Sequence, residues 1–281
     1  MNGIHDIADF IVAYSVDNKI DLTHKKLQKL LYYAHGFYLV IEKKPLFDAK
    51  LEAWKYGPVN KAVWDSFKSH GYLSITKPKN LGYRSLEGGI KNYLALFLYS
   101  FISISQDTLI DMSHTDAVWD LNYIPGLNKE ISSEEMGLYF GEFKDFIEYR
   151  SFADQKVNFL KLIKARIDYF FALEDIGNGW DSSGSPEPSK EACASAIDTL
   201  KALQSITFSK AKPVMPKILV GPIPIGGVTL ELHYPDKKLY IAIIDGVNVE
   251  VSLEVNGFFT EQEFALEDFN DDIGAILGEV A

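Results

Sequence analysis

A chain of 281 residues has room for one large domain or two ordinary ones, and its 47% hydrophobic and 24% charged content excludes an intrinsically disordered protein. The formal net charge is −11, with 17 Lys and Arg against 19 Asp and Glu in residues 1–150 and 11 against 20 in residues 151–281. This acidic second half repels a phosphate backbone, so we expect no direct nucleic-acid binding; a basic protein partner and ordinary solubility both remain compatible with the charge.

Apolar residues at helical spacing predict two helices at the start of the chain. Residues 4–16 give a short amphipathic pattern, and residues 26–39, "KLQKLLYYAHGFYL", give a wide apolar stripe after Thr23, whose side chain suits a helix N-cap. The stripe comprises Leu27, Leu30, Leu31, Ala34, Phe37 and Tyr38. Lys29 lies off the stripe near the N-terminal end, where the helix dipole disfavours a cation, so a solvated face is expected for it.

The segment "LEAWKYGPV" predicts a short strand that is followed by a turn at Gly57. Pro58 suits the first turn of a helix, because its missing N–H needs no partner there. We therefore expect a helix that begins near Pro58 and ends at Gly71, and a connecting loop over residues 72–90. Further helices are predicted over residues 91–104, 106–121 and 132–148.

The second half of the chain has a different pattern. A long helix is predicted over residues 153–175, before a Gly-, Pro- and Ser-rich stretch at 177–189. Ser189 is expected to cap a further helix over residues 190–204. Apolar and β-branched residues then predict consecutive antiparallel strands at 228–234, 238–244 and 247–255. A helix over residues 263–280 is expected to close the chain.

These elements predict a mainly α domain over residues 1–150 and an α+β domain with a small antiparallel sheet over residues 151–281. The longest apolar run, residues 93–102, is shorter than the about 20 residues of a membrane span. The N-terminus lacks the pattern of a secretory signal, and the single cysteine, Cys193, excludes an internal disulfide. We therefore expect a soluble cytoplasmic protein without membrane association.

Three motifs, taken together and in order, resemble the Panacea-type antitoxin domain, also called the SocA-like domain. They are "KLQKLLYY" at 26–33, "AWKYGPV" at 53–59 and "SHTDAVW" at 113–119. The family carries a Lys-Leu-x-Lys-Leu-Leu-Tyr-Tyr/Phe helix, an Ala-Trp-x-x-Gly-Pro-Val turn and a later Thr/Ser-His…Trp helix. The resemblance covers roughly residues 4–148, and many relatives end where this chain continues into its second half.

The resemblance implies the antitoxin of a bacterial or phage toxin–antitoxin system, which neutralises a cognate protein toxin by direct protein–protein binding. The family serves unrelated toxins. The implied partner is therefore a small alarmone synthetase-like toxin or another translation-inhibiting toxin, and phage defence is an implied setting.

The candidate partner-binding residues in these motifs are large amphipathic side chains and one lysine. They are Tyr32, Tyr33, Lys29, Trp54, Tyr56 and Trp119. Trp and Tyr are enriched at interface hot spots, but the same rings equally suit a role inside the fold. Tyr32 and Tyr33 are adjacent on a helix and point about 100° apart, so one ring is expected to face outward or to line a groove.

A second set of motif residues is interpreted as structural. It comprises Leu27, Leu30, Gly57, Pro58, His114, Trp180 and Asp181. For the segment "SHTD" at 113–116, which contains His114, we expect a capping or core-polar role, with Ser113 or Thr115 capping the helix that follows. Asp181 is expected to form an Asx-turn, and Trp180 is expected to anchor that loop on the sheet.

The sequence shows no nucleophile motif, no phosphate-binding loop and no metal-ligand spacing, so we expect no catalytic residue, metal or cofactor. Cys193 falls inside a predicted helix and is expected to be buried and inert. Two other functions stay open: an effector or enzyme in the C-terminal half that the helical domain regulates, and a proteolytic adaptor for the partner. A sheet edge in the acidic half also suits a homo-oligomer.

Overall fold

The computed structural model describes residues 2–209, 213–244 and 246–280. The N-terminal elements are α1 (Ile4–Asp17), α2 (His24–Glu42), β1 (Leu51–Trp54), β2 (Gly57–Val59), α3 (Lys61–Phe67), α4 (Gly88–Phe101), α5 (Gln106–His114), α6 (Ala117–Asp120), β3 (Glu130–Ile131) and α7 (Ser133–Gly141). They are followed by α8 (Phe146–Leu173), α9 (Lys190–Phe208), β4 (Lys217–Ile223), β5 (Gly227–His233), β6 (Lys237–Ile244), β7 (Asn248–Val255), β8 (Phe258–Ala265) and α10 (Leu266–Val280). The predicted fold class is confirmed, because a helical half precedes an α+β half with an antiparallel sheet.

The chain folds as two compact units, Met1–Val157 and Asn158–Ala281, and α8 runs across the boundary between them. Within the described ranges no single helix has the length and apolar character needed to cross a membrane. Helices α4 and α5 reach that length and apolar character only when they are taken together, and the chain bends by 98° between them.

Helix α2 is the centre of the first unit. It packs against α1, α3, α4, α5, α7 and β2. Thr23 caps it as predicted, since its hydroxyl oxygen accepts the Lys26 N–H. Leu27 and Leu30 are fully buried, as expected. Residues on the other sides of α2 are buried as well, and Lys29 is only 2% exposed. The expected solvated face for Lys29 is therefore wrong, because neighbours surround a central helix on all sides.

A three-stranded sheet in the order β2-β1-β3 packs against α2 through β2. Gly57, which begins β2, has a φ of +86°, so the predicted turn is confirmed. Pro58 lies within β2 opposite Ala53, and its predicted place in the first turn of a helix is wrong. Helix α3 begins later because the Asn60 side chain caps it. β2 is an edge strand, where a proline leaves no ladder hydrogen bond unmade.

Two of the predicted helices are each divided in the structure. The pattern over residues 106–121 forms α5 and α6, and the pattern over residues 132–148 forms α7 and the start of α8. Asp145 begins α8, since its carboxylate accepts the N–H groups of the second and third residues after it. A capping aspartate thus starts a new helix where apolar periodicity alone suggests a continuous one.

The capping prediction for the helix that carries Trp119 is also wrong. The Ser113 and Thr115 hydroxyls donate backwards, to carbonyl groups of α5. Asp116 occupies the N-cap position of α6 with an extended backbone, at φ −81° and ψ 117°. Its side chain makes no capping bond there. The carboxylate instead accepts hydrogen bonds from tyrosine hydroxyls of other helices.

The second unit is built on a five-stranded antiparallel meander in the order β4-β5-β6-β7-β8. Helices α9 and α10 pack against the sheet, and Ser189 caps α9 as predicted. The shared core comprises Val228, Leu230, Leu232, Leu239, Ile241, Ile243, Val249 and Val251 from the strands, with Ala192, Cys193, Ala196, Leu200, Phe269 and Leu277 from the helices. The sequence predicts only the three central strands, and β8 occupies the beginning of the predicted terminal helix.

Candidate partner-binding groove

A groove of about 380 Å³ opens on the first unit, where the start of α2 meets the β1–β2 hairpin and α3. It is lined by Lys25, Gln28, Lys29, Trp54, Lys55, Tyr56, Val59, Trp64 and Asn128. Lys55 and Tyr56 form the tip of the hairpin, so Tyr56 stays 55% exposed although its ring is large and mostly apolar. Of the candidate residues, Trp54, Tyr56 and Lys29 are the three that the structure brings together here.

Two tryptophans form the aromatic wall of the groove. The ring centroids of Trp54 and Trp64 are 5.5 Å apart with an interplanar angle of 56°. Trp64 meets the His24 ring edge-on at 4.5 Å, and the Trp54 indole N–H donates to the Glu52 carboxylate at 2.8 Å. These contacts hold both rings in place before any partner arrives, which lowers the entropic cost of binding.

Lysines surround this aromatic wall. The Nζ atoms of Lys25 and Lys55 lie 5.2 and 5.5 Å from the centroid of the Tyr56 ring, within the range of cation–π contacts. The buried Lys29 donates from Nζ to the Pro58 carbonyl oxygen at 2.9 Å. Burial, assisted by the charge of Lys25, lowers the pKa of Lys29 well below its ordinary value. Lys29 therefore fixes β2 to α2 as well as lining the groove.

Trp119 supports the hairpin from within the fold. It is 7% exposed, and its indole N–H donates to the Trp54 carbonyl oxygen at 3.1 Å. Its ring stacks on His114 at 4.4 Å and on Tyr123 at 4.8 Å. An enclosed ring with these partners positions Trp54, and it has almost no surface left for a direct contact with another protein.

Tyr32 and Tyr33 are both completely buried, so the expectation that one of them faces outward or lines a groove is wrong. Tyr32 packs edge-on against Phe140 of α7, and Tyr33 packs against Phe101 of α4 and Tyr149 of α8. These helices cover the second side of α2. Neither tyrosine can reach a partner in this conformation.

A buried carboxylate in the segment "SHTD", for which a capping or core-polar role is expected, joins these helices. Asp116 is 0% exposed and accepts hydrogen bonds from the hydroxyls of Tyr32 (3.1 Å), Tyr139 (2.7 Å) and Tyr149 (2.8 Å). Burial raises the pKa of Asp116 although Lys156 and the tyrosines lower it, and burial lowers the pKa of Lys156 to about 8 although Asp116 raises it. Desolvation therefore outweighs the attraction between these two charges.

The Asp116 cluster ties α6 to α2, α7 and α8. The Lys156 ammonium extends it by donating to the Thr115 carbonyl oxygen at 2.8 Å. The three tyrosines lie 84, 23 and 33 residues from the aspartate in sequence. A single aspartate in the motif at 113–119 is the only local sign of the cluster, and it does not identify the partners.

In the second unit, Asp181 forms the predicted Asx-turn. One of its oxygens accepts the N–H groups of Ser183 and Ser185, and the other accepts the Ser185 hydroxyl. Those bonds, led by the Ser185 N–H, lower the pKa of Asp181. The Trp180 indole donates to the Pro186 carbonyl oxygen within the same loop, and its anchoring on the sheet stays a prediction.

The comparisons with known proteins agree with the motifs. Residues 27–120 match the sequence model of the family described as "Antitoxin SocA-like, Panacea domain". This segment is therefore similar to a Panacea domain. Antitoxin SocA of Caulobacter vibrioides (strain NA1000 / CB15N) is 38% identical over 65 residues, which are 23% of this chain and 35% of that protein. The chain thus covers about a third of the length of the curated relative it matches. No solved structure matches significantly.

The segment that matches the Panacea model contains most of the groove. Apart from Lys25 and Asn128, every residue that lines the groove falls within residues 27–120. Asp116 and Trp119, which hold the surrounding elements together, fall within the same segment. The similarity therefore covers both the groove and part of its support.

Acid should destabilise the first unit through two histidines, His35 and His114. Burial lowers the pKa of His35 and of His114 to about 4, from an ordinary value of 6.5. Between pH 6.5 and 4 the unfolded chain binds protons that the folded chain excludes, so the free energy of unfolding falls as the pH decreases through this range. The expected loss is about 3 kcal/mol for His35, at 1.36 kcal/mol per pKa unit, and less for the half-buried His114.

Urea unfolding of the wild type and of His35→Gln at pH 7 and pH 4 measures this effect. Glutamine does not titrate, so the variant should lose about 3 kcal/mol less than the wild type between the two pH values. Equal losses in the two proteins would show that His35 does not contribute to the acid sensitivity.

Proposed function

We propose that this protein is an antitoxin that neutralises a cognate protein toxin by direct binding, and that the groove of its Panacea domain contacts the toxin. The observation that carries the proposal is the match of residues 27–120 to an antitoxin family, in the segment that supplies most of the groove lining. The relative named as an antitoxin lends further support.

The surface around the groove has the composition of a protein-binding site. Tyr56 and Trp54 present large rings with polar atoms, the type of residue that dominates the energy of interfaces. A second groove, which shares Lys25 with the first, is lined by Tyr72, and that side chain is 89% exposed. Exposed aromatic rings around two adjoining grooves offer anchors for an interface of ordinary size, about 1,600 Å² in total.

We infer that neutralisation involves no chemical step by this chain. Cys193 is fully buried, and burial raises the pKa of its thiol to about 11, so little reactive thiolate forms at neutral pH. Both carboxylate oxygens of Asp181 accept hydrogen bonds from residues of its own loop. In the described ranges no group of three or more His, Cys, Asp and Glu side chains is arranged to hold a metal ion.

Co-expression with the protein encoded by the neighbouring gene tests the proposal. The two proteins should co-purify, and the antitoxin should restore growth. Tyr56→Ala should weaken the complex by about tenfold or more, because it removes an exposed aromatic anchor. Tyr99→Ala is the matched control, since Tyr99 is 79% exposed but does not line the groove. Failure to form a complex, or equal effects of the two substitutions, would contradict the proposal.

The same co-expression separates simple occlusion from the alternatives. The lifetime of the toxin should stay the same or increase when the antitoxin is present; a shortened lifetime would favour a proteolytic adaptor. Growth inhibition by residues 158–281 expressed alone would favour an effector in the second unit. Self-association through the exposed edge of the sheet stays a prediction.

A further inference from the structure

Gln28 supplies a polar donor at the wall of the groove that the fold leaves unused. Its side chain is 1% exposed, and its Oε1 atom accepts the Asn60 N–H at 2.8 Å. That bond fixes the orientation of the amide, because the Asn60 N–H requires an oxygen opposite it. The Nε2 amine is buried without a hydrogen-bond partner in the described part of the chain. Buried amide donors nearly always have a partner, so an acceptor is missing here.

The charges around the groove indicate the kind of acceptor. Lys25, Lys29 and Lys55 line it, and no acidic side chain is among the described residues of its lining. Glu52 lies close by, but it accepts the Trp54 indole N–H on the strand. The chain as a whole has a net charge of −11, so a lining with lysines and no acidic side chain differs from the average composition of the chain. Charge complementarity therefore favours an anionic acceptor, and a carboxylate can accept from an amide and an ammonium group together.

The apolar part of the groove limits the acceptor further. Trp54, Trp64 and Val59 provide a wall for an aliphatic or aromatic side chain. A volume of about 380 Å³ lies near the lower end of the range for small-ligand sites, roughly 300–1,000 Å³, so it suits one or two side chains and excludes a folded domain.

We propose that the groove binds a short segment of the partner protein in which an Asp or Glu side chain lies beside an apolar side chain. The carboxylate accepts from Gln28 Nε2 and from Lys25 and Lys55, and the apolar side chain packs against Trp54 and Trp64. This inference rests on the proposed function, because the segment belongs to the toxin.

A random decapeptide library displayed on phage and selected against the full-length protein provides the probe. Selected peptides should be enriched in Asp or Glu next to Leu, Ile, Phe or Trp. They are then synthesised with blocked termini, so that only side chains supply carboxylates, and binding is measured by fluorescence anisotropy. Changing the acidic residue of a selected peptide to its amide should weaken binding by about tenfold or more.

Two variants of the protein test the assigned contacts. Gln28→Glu keeps the oxygen that accepts the Asn60 N–H and replaces the amide donor, so it should weaken peptide binding by about tenfold or more. Lys55→Glu reverses an exposed charge at the rim of the groove and should weaken peptide binding to a similar extent. If circular dichroism shows that Gln28→Glu does not fold, Lys55→Glu alone tests the proposal. Lys77→Glu, an exposed lysine outside the lining, is the control and should change binding less than about twofold.

Several results would overturn the inference: no selected peptide, enrichment of basic or purely apolar peptides, or binding that Lys55→Glu leaves unchanged. Dimerisation of the protein that Lys55→Glu abolishes would also overturn it, because a second copy would then be the occupant. The outcome is separate from that of the proposed function. If Tyr56→Ala weakens the toxin complex but the selected peptides show no preference for acidic residues, the acidic segment is refuted and the antitoxin function is retained. Acidic-peptide binding without any toxin complex refutes the proposed function.

Discussion

Replacing Asp116 with alanine should lower the free energy of unfolding by about 3–5 kcal/mol. The substitution leaves the hydroxyls of Tyr32, Tyr139 and Tyr149 without their shared acceptor. It also leaves Lys156, whose side chain is 1% exposed, without the opposite charge that raises its pKa. Unfolding by guanidinium chloride, followed by circular dichroism, measures the change.

Two further variants separate the hydrogen bonds from the buried charge. Tyr149→Phe removes one donor and keeps the carboxylate, so it should cost about 1 kcal/mol. Lys156→Met in the Asp116→Ala background removes the unbalanced charge, and the double variant should be more stable than Asp116→Ala alone. A cost for Asp116→Ala no larger than that of Tyr149→Phe would show that the cluster does not hold the helices together.

Local rules predict the parts of this fold that depend on neighbouring residues. Thr23 and Ser189 are found at the helix starts that their side chains indicate, because a cap bonds to a backbone N–H three residues further on. Asp181 closes its turn in the same way, with bonds to residues two and four positions away. Each of these structures is complete within a few residues, so the sequence contains all of the information.

Periodicity fails for α2 because it assumes one buried face. A helix at the surface has a solvated side, and on that assumption Tyr32 and Tyr33 cannot both be in the core. Here a ring of α7 packs on Tyr32, and rings of α4 and α8 pack on Tyr33; those rings come from distant parts of the chain. The same enclosure buries Lys29. The sequence of residues 26–39 does not indicate how many other elements pack around the helix.

The two edge strands are missed for a different reason. β8 has exposed side chains along most of its length, so it lacks the alternation that marks a strand with one buried face. β4 contains Gly221 and Pro222, which usually argue against a strand and are tolerated at an edge. The central strands, by contrast, alternate clearly between buried and partly exposed residues.

The candidate site could be predicted only in part. The resemblance to the Panacea domain leads to Trp54 and Tyr56, which do line the groove. Gln28 and Trp64 complete it, but they come from α2 and α3 and meet the hairpin only in the folded chain. Gln28 also lies in the motif helix without any feature that distinguishes it in the sequence, since its importance depends on the Asn60 N–H.

Replacing Gly57 with alanine should lower the free energy of unfolding by about 3 kcal/mol. It should also weaken the binding of any partner in the groove. The φ of +86° already disfavours a side chain. A Cβ atom would also lie 2.3 Å from the Ser113 hydroxyl oxygen and 2.6 Å from Lys29 Nζ. Both atoms are buried, so the hairpin must shift to relieve the overlap, and Tyr56 shifts with it.

Gly126→Ala is the matched control for this prediction. Gly126 has nearly the same φ, +84°, but a Cβ atom there would meet nothing within 4 Å. It should cost about 1 kcal/mol, from backbone strain alone. Urea unfolding gives the two free energies, and co-purification with the toxin gives the effect on binding. Because the difference between the variants isolates the crowding by Ser113 and Lys29, equal costs would show that the hairpin adapts freely, and that its position is not fixed by the packing beneath Gly57.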